Sequence, residues 1–312
     1  MKMRAVRIHA FGGPDTLQLD ELDVPEPKPD EVLIRVHAAS VNPVDYKIRS
    51  GHYPPVKQDQ LPKILGRDVA GQIERCGREV RGWKEGDLVY AMLGGGSGGG
   101  YAEYVTLKAD LCAPKPAQLD FRSAAAVPLA ALTAWQGEFD HGQLQAGQRE
   151  LIHGGSGGVG HFAIQFAKAR GATVCTTVSR QDMDFAQWLG ADEVIDYRAE
   201  RFEERLHAVD LVFDLIGGET RERSWAVLRE GGTLISTLDK PSEQRAREHR
   251  ARAQNYVARP DAAELAEIGA LIDAGKVHPF VMATYTLDQA ARAHERLESG
   301  HVRGKIVLSI AQ

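Results

Sequence analysis

The chain has 312 residues, 43 of them acidic and 38 basic, for a formal net charge of −5, and 43% are hydrophobic. That length suits two globular domains with full cores, and the charge balance gives no footing for a nucleic-acid partner. No apolar run approaches the about 18 residues of a membrane span, so no membrane partner is expected, and the opening MKMRAVRIHAFGG reads as a first strand rather than a signal peptide.

Residues 3–9, 31–38, 69–75 and 88–92 are short β-like runs, broken by turn signals at Gly12, Gly13 and Pro14 and across 25–29. They predict a largely β domain over 1–120. The run GGGSGGG at 94–100 looks like a linker, but strand-like sequence resumes at 101–107, so it is read as a loop within that domain. From Phe121 the rhythm changes. A strand at 151–153, a helix at 159–170, a strand at 173–178 and a helix near 182–189 come first. Strands at 193–196 and 210–215, a helix at 219–228, a strand at 233–237 and a last strand around 255–257 follow. This alternation implies an α/β class with a parallel, doubly wound sheet. A helix at 261–274 is expected to close that domain, taken as 121–275. The tail 276–312, with a helix at 287–299 and a strand at 305–310, is expected to complete the β-rich domain and make the doubly wound part an insertion. The charge run RAREHRAR at 245–252 reads as a solvated helix face, with Glu243 and Glu248 interspersed. Three sparse cysteines, Cys76, Cys112 and Cys175, suit a reducing compartment, and a cytoplasmic location is expected.

The best-supported constellation is LIHGGSGGVGHFAIQFAK at 151–168. A strand enters a glycine turn and a helix leaves it, and Gly155-x-Gly157-x-x-Gly160 fits the dinucleotide fingerprint. The backbone of Gly155, Ser156, Gly157, Gly158 and Val159 is therefore expected at a pyrophosphate, facing the positive end of the helix dipole. At the end of the next strand the sequence reads TTVSRQD. Ser179 and Arg180 stand where an NAD site places an acid, and Asp182 comes two residues later. A guanidinium can hold a 2′-phosphate with forked hydrogen bonds, whereas a carboxylate repels it, so NADPH is the expected cofactor. The competing reading is a solvated surface arginine.

These segments, with GADEVIDY at 190–197 and RGKIVL at 303–308, resemble the medium-chain dehydrogenase/reductase superfamily across essentially the whole chain. VNPVDYKIRSGHYP at 41–54, LGRDVAG at 65–71, GDLVYA at 86–91 and VPLAALTAW at 127–135 resemble its quinone oxidoreductase and alkenal/enone reductase branch, which includes zeta-crystallin. The resemblance implies a GroES-like catalytic domain, a Rossmann domain and an active site in the cleft between them. It also implies that Tyr197 lines the 2′-phosphate pocket and that Thr133 lies beside the nicotinamide, while Ile216 and Thr237 follow strand ends that should face the cofactor, and Lys305 is expected to contact it as well. Where zinc enzymes of the superfamily carry Cys and a His-Glu pair, this chain has Asn42 and Arg67–Asp68, and the third ligand falls near Leu129. Those residues do not make a tetrahedral zinc site, so a metal-free enzyme is expected.

Without a Lewis acid, a quinone or an α,β-unsaturated carbonyl is the natural hydride acceptor, because conjugation already makes its carbon electrophilic. Candidate catalytic residues are Asn42 as an uncharged donor, Lys47 to stabilise an enolate oxygen, Tyr53 to stack or relay a proton, and Arg67. The bland alternative makes Tyr46 and Tyr53 core aromatics and pairs Arg67 with Asp45 or Asp68. An enoyl-thioester reductase, or a non-catalytic NADPH-binding sensor or structural protein, stay open. A homodimer is expected through the last Rossmann strand.

Overall fold

A computed structural model of the chain describes residues 1–94 and 98–311, and in it the chain forms two compact units. Unit 1 comprises Met1–Leu129, Pro260–Ala274 and Pro279–Gln312, and unit 2 comprises Ala130–Arg259 and Gly275–His278.

Unit 1 is the β-rich one. Strand Glu31–Val41 (EVLIRVHAASV) is rich in β-branched residues and buried along nearly its whole length, as a central strand requires. It pairs antiparallel with Asp68–Cys76 on one side and with Lys305–Ser309 on the other, in register Ile306↔Val41 to Ser309↔Ala38. The tail therefore lies inside the first unit's sheet. A smaller sheet pairs Lys2–Ile8 with Leu17–Asp23. The strand expected at 101–107 runs Tyr104–Lys108; Tyr101 instead uses its carbonyl to accept from the Val6 amide at 2.8 Å. Part of the glycine run, residues 95–97, lies outside the described residues.

The helix Ala262–Asp273, expected to close the nucleotide domain, belongs to unit 1. Asp261 caps it by accepting from the Glu264 amide at 3.0 Å, and the buried Tyr90 hydroxyl donates to the Leu265 carbonyl at 2.5 Å. Those tertiary bonds decide where the helix packs, and they are invisible to periodicity.

Unit 2 holds a six-stranded parallel sheet. In space the strands run Glu193–Asp196, Thr173–Val178, Arg149–His153, Val209–Asp214, Leu228–Ser236 and Arg252–Asn255. The first strand in sequence therefore stands third, and the order reverses beside it, which is the Rossmann switch point. Two expectations shift here. The helix expected at 219–228 is Gly218–Ser224, because the chain turns at the fully buried Trp225 and the Val227 carbonyl accepts from the Val209 amide at 2.9 Å. The last strand, expected around 255–257, is Arg252–Asn255. Tyr256 beyond it turns inward, donating its hydroxyl to the Thr133 carbonyl, while Val257 is 84% exposed. The charge run at 245–252 divides accordingly between the helix Glu243–Glu248 and the start of that strand.

Two carboxyls in unit 2 defy the usual rule for buried polar groups. Glu138, in the π-helical turn Gln136–His141, and Glu150, in strand Arg149–His153, are both fully buried, and no side-chain oxygen of either has a hydrogen-bond partner. Burial pushes both far above the ordinary carboxyl range, and the neighbouring Glu150 raises Glu138 further.

Candidate functional site

In unit 2 the strand Arg149–His153 ends in the glycine turn. Gly154 adopts φ +81, a conformation that favours glycine, and its amide donates to the Thr177 carbonyl at 3.1 Å. A Cβ on Gly155 would stand 2.1 Å from the Thr176 hydroxyl oxygen, and one on Gly160 would stand 2.3 Å from the Gly154 carbonyl oxygen. Both glycines are thus required for the helix Gly160–Ala169 to press against the sheet. Gly157 differs: its nearest neighbour to an added Cβ is the Gly154 carbonyl oxygen at 3.4 Å, an ordinary contact. Nothing in the packing around it demands glycine there. Behind the turn, His153 is fully buried between the Thr177 and Ser224 hydroxyls, each 2.9 Å from a ring nitrogen, and burial lowers its pKa to about 4.

The adjoining strand ends converge on the same edge. Ser179 follows strand Thr173–Val178 and Tyr197 follows Glu193–Asp196, with the Tyr197 amide donating to the Val178 carbonyl at 3.2 Å. Arg180 is exposed, and its guanidinium has no partner among the described residues. Ile216 reaches over the turn, its Cδ1 being 3.0 Å from where a Gly154 side chain would begin, and Thr237 donates its amide to the Asp214 carbonyl at 3.4 Å. Thr133 lies in helix Pro128–Trp135 and is held by the Tyr256 hydroxyl.

Two residues here were missed by reading the sequence. Asp182, set aside as an acid beyond the phosphate position, is buried and accepts from the Ser179 hydroxyl at 2.9 Å and the Ser156 hydroxyl at 3.2 Å. It clips the glycine turn to the end of the next strand, and it commits the Ser179 hydroxyl. Arg198 lies with its guanidinium carbon 5.6 Å from the Tyr197 ring centroid, adding a second cation at this corner. The sequence signal was its place two residues beyond the strand end at Asp196.

Unit 1 carries a buried polar cluster around Asn42, which caps the helix Pro43–Arg49. Asn42 is 2% exposed. Its amide nitrogen donates to Asp68 Oδ2 at 2.8 Å, and its Oδ1 accepts from the Lys305 ammonium. The donor expected to face a substrate is therefore spent on the protein, and Asn42 is an organiser of the cluster. Asp68 is filled on both oxygens: Ser40 Oγ and Asn42 donate to Oδ2, and the Leu129 amide donates to Oδ1 at 2.7 Å. Lys305, expected at the cofactor, is 4% exposed with its Nζ 3.9 Å from Asp68, and burial lowers its pKa. Burial raises Asp45 to about 6, against the opposing pull of bonds from the Asn42 amide at 2.8 Å and the Tyr101 hydroxyl at 3.0 Å.

From Tyr101 the chain of bonds continues to His294 Nε2 at 3.1 Å, and His294 Nδ1 lies 3.2 Å from Arg49 Nη1. Arg49 ends the chain with a bidentate pair to Glu298 at 3.0 and 2.8 Å. Since arginine only donates, His294 accepts at Nδ1 and carries its proton on Nε2, so the bonds from Arg49 through His294 and Tyr101 run towards Asp45.

The remaining candidates part company. Lys47 is half-buried, and its ammonium has no partner among the described residues. Tyr53 packs against the core cluster around Val6, Ile8 and Leu65. Arg67 pairs with neither Asp45 nor Asp68; its Nε donates to the Leu93 carbonyl at 2.9 Å.

Comparison with known proteins agrees with this architecture. The alcohol dehydrogenase GroES-like domain family matches residues 28–117, and the family described as zinc-binding dehydrogenase matches 189–308. The chain is 36% identical to the NADPH-dependent alkenal/one oxidoreductase of Arabidopsis thaliana, covering 98% of this chain and 79% of that protein. The quinone oxidoreductase from Coxiella burnetii superposes with TM-score 0.92 at 36% identity, covering 99% of each chain. The Escherichia coli quinone oxidoreductase, solved in complex with NADPH, superposes with TM-score 0.86 at 32% identity over 98% of this chain and 99% of that one. With this turn, this strand order and these relatives, the chain belongs to the medium-chain dehydrogenase/reductase superfamily, in its quinone oxidoreductase and alkenal/one oxidoreductase branch.

Proposed function

We propose that this protein is an NADPH-dependent oxidoreductase that reduces a quinone or an α,β-unsaturated carbonyl compound without a metal. The observation that carries the proposal is the strand-end corner that brings together the open Gly157, the uncommitted guanidinium of Arg180 one strand over, and Tyr197 at the end of the next strand. It offers backbone donors to a pyrophosphate and a cation to a 2′-phosphate. The relatives named above for NADPH and for alkenals or quinones support the same reading.

The bound nicotinamide would supply the hydride. The chain's part is to hold the cofactor, exclude water and stabilise the enolate or hydroquinone oxygen that results. Among the four catalytic candidates, Lys47 carries a half-buried ammonium without a partner among the described residues, a charged donor suited to this task. Asn42, Asp68 and Lys305 make a preorganised base beneath its helix, since Asn42 is the N-cap and Lys47 lies one turn along. Zinc does not fit the residues present at the positions the resemblance indicates. Arg67 is a cation, Asn42 is engaged at both ends of its amide, and both Asp68 oxygens are filled.

We also propose a homodimer built on strand Arg252–Asn255, which pairs on one side only with Leu228–Ser236 and leaves an edge beside the exposed Val257. The free cysteines Cys76, Cys112 and Cys175 support a reducing, cytoplasmic setting, and no helix among the described residues is long and apolar enough to cross a membrane. The test is NADPH oxidation with a quinone, an alkenal and a crotonyl thioester in parallel. Turnover of the first two classes is expected. Preference for the thioester would move the reading to an enoyl-thioester reductase, and turnover of none would leave a cofactor-binding protein without catalysis.

A further inference from the structure

Unit 2 has a second concavity, at the opposite end of the strand from the glycine turn. It encloses about 420 Å³ and is lined by Gln143, Gln145, Gln148, Asp210, Arg229 and Arg252, among others. Strand Arg149–His153 separates it from the turn by five residues at about 3.3 Å each.

The lining is unbalanced in one direction. Apart from Gln145 Oε1, the side-chain acceptors named are already occupied: Asp210 takes Arg229 Nε at 2.5 Å on Oδ1 and the Arg149 amide at 2.8 Å on Oδ2. Gln143 Oε1 and Thr233 Oγ1 each accept from Arg252, at 3.0 and 2.9 Å, and Gln148 Oε1 accepts from the Gln145 amide at 2.8 Å. Donors are left over, on both guanidinium groups and on the Gln148 amide. Two cations against one carboxylate add a net positive charge. An oxyanion is what such a surplus recognises.

The backbone around it is also specialised. Gln143 holds φ 55, a left-handed conformation that costs a residue with a side chain about 1 kcal/mol or more. It follows the π-helical turn Gln136–His141, and Gly142 between them has no room for a Cβ, which would meet Leu211 Cδ2 and two carbonyl oxygens at 2.8 Å. The strained turn is what brings the Gln143 amide to Arg252.

We propose that this cavity is a second ligand site, for a small metabolite bearing a phosphate or carboxylate group. Its volume falls in the range of small-molecule sites. Because Arg252 begins the edge strand Arg252–Asn255, a bound anion would fasten that edge to the strand Leu228–Ser236 and to the turn at Gln143. The inference stands apart from the reaction proposed above.

The experiment titrates NADPH-saturated protein, so that the glycine turn is blocked, with inorganic phosphate and with citrate. Sodium chloride at matched ionic strength is the control, and calorimetry and thermal shift are the readouts. Saturable binding of either anion is expected, weakened about tenfold or more in Arg229→Gln and in Arg252→Gln. Gln148→Glu keeps the acceptor for Gln145 and adds a repelling charge, so it should weaken binding in the same way. NADPH affinity should stay unchanged in all three variants, which shows that they are folded. Phosphate binding without citrate would identify a phosphate ester as ligand, and the converse a carboxylate. No response beyond sodium chloride for either anion, or equal affinity in wild type and variants, would overturn the proposal.

Discussion

Replacing Glu138 and Glu150 together by glutamine should flatten the pH dependence of this protein's stability. In the fold both carboxyls are sealed from water without a partner, and burial holds them protonated far above the ordinary carboxyl range. In the unfolded chain they ionise near pH 4.3. Unfolding above that pH therefore releases protons that the fold retains. The stability these groups allow is fully present below about pH 4.3 and declines as pH rises, at about 1.4 kcal/mol per pH unit for each carboxyl still protonated in the fold. The loss accumulates over every pH unit in which a carboxyl remains protonated in the fold, and it stops where that carboxyl ionises. Tyr256 faces both carboxyls, and its phenol is raised well above its usual value by burial first and by Glu138 and Glu150 next, so it stays neutral throughout. Asp45, raised to about 6, adds a slope of its own that is common to wild type and variant. The assay is urea unfolding at pH 6, 7 and 8, followed by tryptophan fluorescence, three of whose four emitters, Trp135, Trp188 and Trp225, lie in unit 2. A buried glutamine without partners carries its own cost of about 1–3 kcal/mol, but that offset does not vary with pH, so the slope is the readout. Each single variant should halve the excess slope. Equal slopes in wild type and the double variant would refute the reasoning.

Three further outcomes follow from the site. Arg180→Ala should cost roughly ten- to a hundredfold in NADPH affinity and leave NADH binding nearly unchanged, as paired titrations would show; equal losses would mean that Arg180 serves only the fold. Gly157→Val should abolish NADPH binding with little change in melting temperature, whereas Gly155→Ala should itself destabilise unit 2, because its Cβ has only 2.1 Å to the Thr176 oxygen. Lys47→Met should lower kcat for an enone by about a hundredfold with the cofactor still bound, the usual loss for one donor to a developing oxyanion; unchanged turnover would remove Lys47 from the reaction.

How much of this was legible beforehand depends on the range of the interactions involved. Local pattern located strands such as Leu88–Met92, Thr173–Val178 and Glu193–Asp196 to the residue, and the glycine turn with its helix, because periodicity and turn chemistry act over a few positions. The site was legible where it is a strand end and opaque where it is a long-range contact. Asn42 meets Lys305 across 263 residues of sequence, and nothing near Asn42 announces that its amide is already engaged. Arg67 finds a carbonyl, at Leu93, which no pairing of charges in the sequence would nominate. Asp182 was judged by its place in the sequence, as an acid two residues beyond Arg180. Its burial among serine hydroxyls gives it a different task, that of a brace.

The ion pair between Arg49 and Glu298 has a consequence for how the protein is made. The partners are 249 residues apart, and at about 5–20 residues per second the ribosome takes some tens of seconds to pass from one to the other. Until then Arg49, which ends up 2% exposed, has no counter-charge to be buried with, and strand Glu31–Val41 lacks its neighbour Lys305–Ser309. The segment Ala130–Arg259 needs neither, and can close its own sheet while the host around it is still an open chain. The part made first would thus be the part finished last, and a nascent chain stalled before Glu298 should offer a protease the N-terminal strands and helix Pro43–Arg49 while the nucleotide-binding unit already resists it.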